Sequence, residues 1–223
     1  MHRKIAAKKI VLYQTKKKGQ IMNYTKDKIF NMTLKNLRVS IGLQMSNPAD
    51  KNSVVLNEYY ETAKNQALKD FDWNFASAYR ELALTGNIPV NPRFLYEYDY
   101  PNDCLFAREI IPYGDTENMI EFEIASNTTG QRVINTNQAP VVLRYTRCID
   151  NETFFTDEFV SALCWQLAFL AAPAITGNSS IQNSCMNVYS NMIAKARTLN
   201  ASEGYIKAPD RCSWFDARYI NNN

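Results

Sequence analysis

The chain has 223 residues, 46% of them hydrophobic, which is enough to bury one substantial core and excludes a disordered or fibrous protein. Its formal charge of +3 conceals an asymmetry: residues 1–28 carry nine Lys and Arg against one acid, leaving 16 bases against 21 acids in a mildly acidic body. Five cysteines, an odd number with no CxxC pair, fit a reducing cytoplasm rather than a disulfide framework.

Residues 1–26 have no sustained apolar period, carry Lys16-Lys17-Lys18 and read as a flexible basic extension. Only Ile10-Val11-Leu12-Tyr13 separates the basic start from the next charges, so no secretory leader is expected, and Met22 offers an alternative start. From Asp27 the pattern turns helical, with Phe30, Leu34, Leu37 and Ile41 on one stripe and Gly42 as the expected terminator. After Ser46-Asn47-Pro48, Asp50 or Asn52 can cap a second helix with the stripe Leu56, Tyr60, Ala63, Ala67 and Phe71, ending near Asp72.

Residues 75–148 change character. Gly and Pro punctuate short segments rich in Tyr, Val, Ile and Phe, which predicts strands at 76–84, 94–98, 105–111, 120–125, 132–135 and 141–146. The intervening loops are short enough for antiparallel pairing. Helical patterning returns at Thr156, an expected N-cap followed by Asp157 and Glu158, and Pro173 is expected to close that helix. The apolar run 159–175 holds 17 residues, contains Ser161 and Gln166 and falls short of the roughly 20 a membrane span needs, so a buried helix is expected. Ser179 or Ser180 can cap a fourth helix with the stripe Ile181, Cys185, Val188, Met192, Ala196 and Leu199, with Lys195 and Arg197 near its end. The order is two helices, a β insertion and two more helices, an α+β fold.

The only histidine is His2, in the basic extension, so the folded body has none for a triad, a His-assisted cysteine or a His-containing metal site. No P-loop or GxGxxG occurs, no cofactor or metal is expected, and the chain reads as a non-enzyme. Carboxylate pairs, Asp99 with Asp103 or Glu117 with Glu121 and Glu123, leave a hydrolase as an alternative. A second alternative is a nucleic-acid-binding module using residues 2–28. Cys104 would need an activating base to act as a nucleophile, and reads as a small core residue. The final segment, 204–223, places Tyr205, Arg211, Trp214, Phe215, Arg218, Tyr219 and Ile220 outside the helical patterns. Such apolar faces need cover, either from the chain's own domain or, as the favoured expectation, from a neighbouring subunit or partner to which these residues form the interface.

Phe71-Asp72-Trp73-Asn74-Phe75-Ala76, then Tyr100-Pro101-Asn102-Asp103-Cys104-Leu105, then the apolar helix after Phe155-Thr156-Asp157-Glu158-Phe159 with its ending Pro173-Ala174-Ile175-Thr176, occur in an order that resembles the head-to-tail adaptors of short-tailed bacteriophages, the tail tubular protein A family, crAss-like phages included. The similarity spans about 28–203. It implies an antiparallel bundle of about four helices (27–75 and 149–203) interrupted by an antiparallel β insertion (76–148) forming a small sheet or sandwich, with extended arms at 1–26 and 204–223. It further implies a dodecameric ring that joins the portal protein to a downstream tail or nozzle protein. Genomic DNA would pass through the ring without sequence-specific contact, and no membrane would be involved. The expected location is the virion neck or tail, after assembly in the host cytoplasm. Trp73, Phe75, Tyr100 and Pro101 would mark the junction between helices and insertion. The extension before Met22 is not part of the family pattern, and residues 212–220 compare only loosely.

Overall fold

A computed structural model describes residues 24–39, 50–112 and 120–203. Those residues form an α+β structure of four helices, α1 (Lys26–Asn36), α2 (Lys51–Asp70), α3 (Asp157–Thr176) and α4 (Ser179–Glu203), and six strands between α2 and α3. The expected arm 204–223 and residues 1–23 of the expected extension 1–26 lie outside the described residues. The last three residues of that extension belong to the helical region instead: Thr25 caps α1, Lys26 begins it, and the Tyr24 ring is buried on the helical core with its hydroxyl donating to Asp157 at 2.8 Å.

Caps set the helix starts. Thr25 Oγ1 accepts the Lys28 amide at 3.3 Å, Asp50 Oδ2 accepts that of Ser53 at 3.2 Å, and Thr156 Oγ1 accepts that of Phe159 at 3.4 Å. The fourth helix is capped by Asn178, whose Oδ1 accepts the Ser180 amide at 2.9 Å, and not by the expected Ser179 or Ser180.

Helix ends depart further from expectation. The α1 helix stops at Asn36 and not at Gly42, because Arg38 adopts the left-handed conformation (φ 59°). The amides of Arg38 and Val39 then fold back onto the carbonyls of Lys35 and Leu34, closing the helix with a reversal that glycine normally supplies. Pro173 does not close α3, which runs on to Thr176 and ends at Gly177 (φ 61°). Pro173 sits on the exposed face, where water can satisfy the carbonyl that its missing N–H leaves, and its own carbonyl accepts the Gly177 amide. With no breaker before Gly204, α4 continues to Glu203, so Lys195 and Arg197 lie inside it.

The third helix is the centre of the helical region, packed by α1, α2 and α4. It is the one described helix long and apolar enough to cross a membrane, yet 56% of its most apolar window is buried by its neighbours, including Phe159, Leu163, Leu167 and Ala171. Opposite it stand Leu34 of α1, Leu56, Ala63 and Ala67 of α2, and Tyr189 and Ile193 of α4.

The six strands make two three-stranded antiparallel sheets. One has the order β1 (Ser77–Glu81), β6 (Val141–Arg147), β3 (Cys104–Pro112); the other has β2 (Tyr96–Asp99), β5 (Arg132–Thr136), β4 (Phe122–Ser126). All six expected strands are present with ends displaced by up to three residues. The largest displacement is in β1, where pairing to β6 stops at Glu81 and Leu84 bridges to Tyr98 of the other sheet. A second core, with Tyr98 and Ile134 from one sheet and Ala107, Ile110, Leu143 and Tyr145 from the other, joins the two.

Buried ionisable groups tie the helices to each other and to the insertion's exit. The Lys64 ammonium, 2% exposed, bridges Glu61 at 2.8 Å and Asp150 at 3.2 Å. Desolvation pulls its pKa down, and the bonds to those two carboxylates outweigh it and hold the pKa above the ordinary value. The Tyr60 hydroxyl donates to Glu152 (3.1 Å) and that of Tyr189 to Asp70 (2.6 Å); burial first, and these carboxylates second, raise both phenols far above their usual range. A phenol or ammonium with a raised folded-state pKa contributes stability that is complete below its unfolded pKa, about 10 for tyrosine, and is lost as pH rises toward the folded value. Unfolding should therefore become easier above about pH 10, with the last part of the tyrosinate absorbance appearing together with loss of helical circular dichroism. Ionisation of all 13 tyrosines with the helices intact would contradict this.

Candidate functional site: joint, cleft and displayed loop of the β insertion

The chain passes from α2 into β1 through a cluster of aromatic rings. Trp73, 4% exposed, donates its indole N–H to the Ala67 carbonyl at 2.8 Å and meets Phe71 and Phe159 edge-to-face at 4.8 and 5.2 Å. Phe75 packs on Phe159 at 5.1 Å, and Phe155 adds a further ring at 4.7 Å from Phe159. Leu105 of β3 packs against this same core. Charged groups complete the joint. Arg108 of β3 donates to the carbonyls of Leu68, Lys69 and Phe71 at 2.8–3.2 Å and to Thr146 Oγ1 at 2.9 Å, so a cation from the sheet caps the negative end of α2. Arg144 of β6 binds Asp72 through both terminal nitrogens.

Of the four residues expected at the junction, Trp73 and Phe75 stand in this cluster, whereas Tyr100 and Pro101 lie in the β2–β3 turn. That turn is held by the Cys104 amide on the Pro101 carbonyl (3.0 Å) and the Cys148 amide on the Asp103 carbonyl (2.8 Å). It borders a polar cleft of about 570 Å³ lined by Arg80, Asp99, Tyr100, Cys104, Gln131 and Arg132 among others. The Arg132 guanidinium lies over the Tyr100 ring at 4.0 Å. Asp103 accepts the Tyr145 hydroxyl (3.0 Å) and pairs with Arg80 (3.4 Å). The Cys104 thiol donates to Tyr100 Oη at 3.1 Å, and burial pushes its pKa up, so at neutral pH it is a thiol and not a nucleophile.

Of the carboxylates considered for hydrolysis, Asp99 lines the cleft and Asp103 is engaged as above. Glu121 pairs with Arg93 (2.9 Å), Glu123 accepts from Asn91 (3.0 Å), and Glu117 lies outside the described residues. Sequence reasoning missed Arg80, Gln131 and Arg132. Strand pairing brings them to the cleft, and no local pattern in the sequence carries that information.

The loop between β1 and β2 is anchored on a buried carboxylate. Glu97 is 1% exposed, and its carboxylate accepts the Thr85 hydroxyl at 2.8 Å and the Asn87 amide at 3.2 Å. Asn137 Oδ1 accepts the Leu95 amide at 3.0 Å, and Leu82 and Phe94 are buried at the two ends. Four apolar residues of the loop face water, Leu84 at 55% exposed, Ile88 at 90%, Val90 at 61% and Leu95 at 69%, beside the exposed Arg93.

The interface expected at Tyr205, Arg211, Trp214, Phe215, Arg218, Tyr219 and Ile220 lies outside the described residues. No protein-family model matches the chain, and no curated protein matches it.

Proposed function

We propose that this chain is a structural virion protein of the head-to-tail adaptor kind, assembling as a ring that joins the portal vertex of the capsid to the tail and lines the DNA exit channel. In this reading the four helices form the antiparallel bundle of that family, residues 76–148 are its β insertion, and residues 204–223 are the docking arm. The observation that carries the reading is the joint. The stretch Phe71-Asp72-Trp73-Asn74-Phe75-Ala76, on which the resemblance partly rests, supplies the rings and the carboxylate that fix the insertion to the helices. A part that transmits load between capsid and tail needs its two halves held rigidly, and this joint uses packed rings, a capped helix and a paired Asp72 to do so. The acidic balance of residues 29–223 adds support, because a channel of like sign repels the phosphate backbone and lets DNA slide.

The test is light scattering on a sizing column, with the full chain run alone and with the portal protein encoded in the same genome. The expected result is a ring-sized complex that is lost when residues 204–223 are deleted. A chain that ignores the portal would overturn the adaptor reading.

A further inference from the structure

The sheet of β2, β5 and β4 has two faces of unlike chemistry. Tyr98 and Ile134 belong to the second core. The alternating residues Glu97, Asn135 and Glu123 stand on the other face, where Thr85, Asn87 and Asn91 of the β1–β2 loop reach the two carboxylates. The register sets Asn135 of the central strand directly opposite Glu97 on one side and Glu123 on the other. Side chains paired in this way rise from Cβ atoms about 5 Å apart. An amide therefore stands between two carboxylates in a row across the sheet.

The row lacks positive charge. Glu97 is 1% exposed, and the Thr85 hydroxyl and the Asn87 amide both donate to its Oε1. Asn91 donates to Oε2 of Glu123 at 3.0 Å. Among the described residues no Lys or Arg pairs with either glutamate, and Arg93 of the same loop is engaged by Glu121 at 2.9 Å. A carboxylate taken out of water without a countercharge is costly. Asn135 supplies an independent sign: it is 1% exposed, and its Oδ1 is buried and accepts no hydrogen bond. A buried carbonyl oxygen with its lone pairs unspent, set between two carboxylates, has the chemistry of a cation ligand.

Among the described residues no three His, Cys, Asp or Glu side chains gather as a metal cluster, so the third donor in this row is an amide. We propose that Glu97, Asn135 and Glu123 hold a divalent cation of calcium's kind. Donors that are all oxygen disfavour zinc and copper. Three ligands from three strands, completed by water, suit calcium, which accepts variable geometry, better than magnesium, which demands a near-ideal octahedron. The ion neutralises Glu97 and, through the loop donors on the same two carboxylates, fastens residues 85–91 to the sheet. This assignment does not depend on the adaptor reading.

The test takes the full chain, stripped with a chelator, and titrates it with calcium chloride by calorimetry and by thermal melting. One site with a dissociation constant of about 0.1 mM is expected, as befits few carboxylates. At 100-fold excess over that constant the thermal midpoint should rise by about 6 °C. Magnesium chloride at the same concentration should give less than half of that shift. Glu97→Gln and Glu123→Gln should each weaken calcium binding about 10-fold. Asn135→Asp should melt below the wild type in chelator, where three carboxylates repel one another, yet bind calcium about 10-fold more tightly. A wild type whose midpoint and heat signal ignore calcium, or a magnesium shift as large as calcium's, would overturn the site. So would an Asn135→Asp chain that loses as much stability with calcium as without it, the result expected if the amide only donates to the glutamates. Should Glu97→Gln fail to fold, Glu123→Gln and Asn135→Asp decide the matter by themselves.

Discussion

Replacing Trp73 with alanine should destabilise the protein by about 4 kcal/mol, the scale of emptying a buried aromatic site. For a chain of this size that corresponds to a fall of roughly 12 °C in the thermal midpoint. The side chain is almost wholly buried and touches rings from the α2 end and from α3, so its removal opens a cavity that neither part of the structure can fill by itself. Trp73→Phe separates two contributions. It keeps an aromatic ring among Phe71, Phe75 and Phe159 but deletes the N–H that the Ala67 carbonyl accepts, at a cost of about 1–2 kcal/mol. Thermal melts followed by circular dichroism check both numbers, and an alanine variant that melts with the wild type would place the indole outside the core.

Arg108→Ala should cost about 3 kcal/mol, because charged hydrogen bonds to carbonyls at a helix end are lost together. Burial lowers the pKa of this guanidinium, with Asp72 opposing the shift and Arg144 adding to it. The side chain lies over the Phe106 ring at 4.5 Å while it reaches the carbonyls of Leu68 and Lys69 in the last turn of α2 and of Phe71 just past it. Arg108→Lys keeps the charge but gives up the planar fork, and should recover less than half of the loss. Chemical denaturation gives the energies. Amide hydrogen exchange distinguishes the mechanism, since protection should fall at the C-terminal turn of α2 and along β3 while the α3 amides keep theirs; a uniform loss would mean that Arg108 acts on global stability alone.

The sequence made the helix starts readable because a capping side chain is a local signal: Asp50 and Thr156 each precede an apolar period and each accepts the amide three residues on. Helix ends were less readable. A reversal at Arg38 carries no glycine to announce it, and Pro173 is tolerated because its face is exposed, a property of the fold and not of the residue. Strands were found through the Gly and Pro between them, but their order was not. β6 lies between β1 and β3 because side chains far apart in the chain share a core, and periodicity contains no such information. The same limit hid the cleft, whose Arg80 and Arg132 belong to different sheets. Trp73 stood out at the junction between a helical period and the strand-like segments, whereas Arg108 had no comparable mark.

The register of β1 on β6 sets Ser77 opposite Thr146, so the polypeptide leaves the helices and comes back to them at adjacent points. For the helices, the whole six-stranded excursion closes like the stem of a hairpin. The entropy of closing such a gap grows only slowly with the number of residues beyond the stem. The helical part is thereby nearly indifferent to what the stem carries, and material on it can be lengthened, trimmed or exchanged in descent without rewiring the rest. Variation among descendants of this architecture should gather beyond the stem, while Ser77, Thr146 and the residues that clamp them to α2 set the point of attachment.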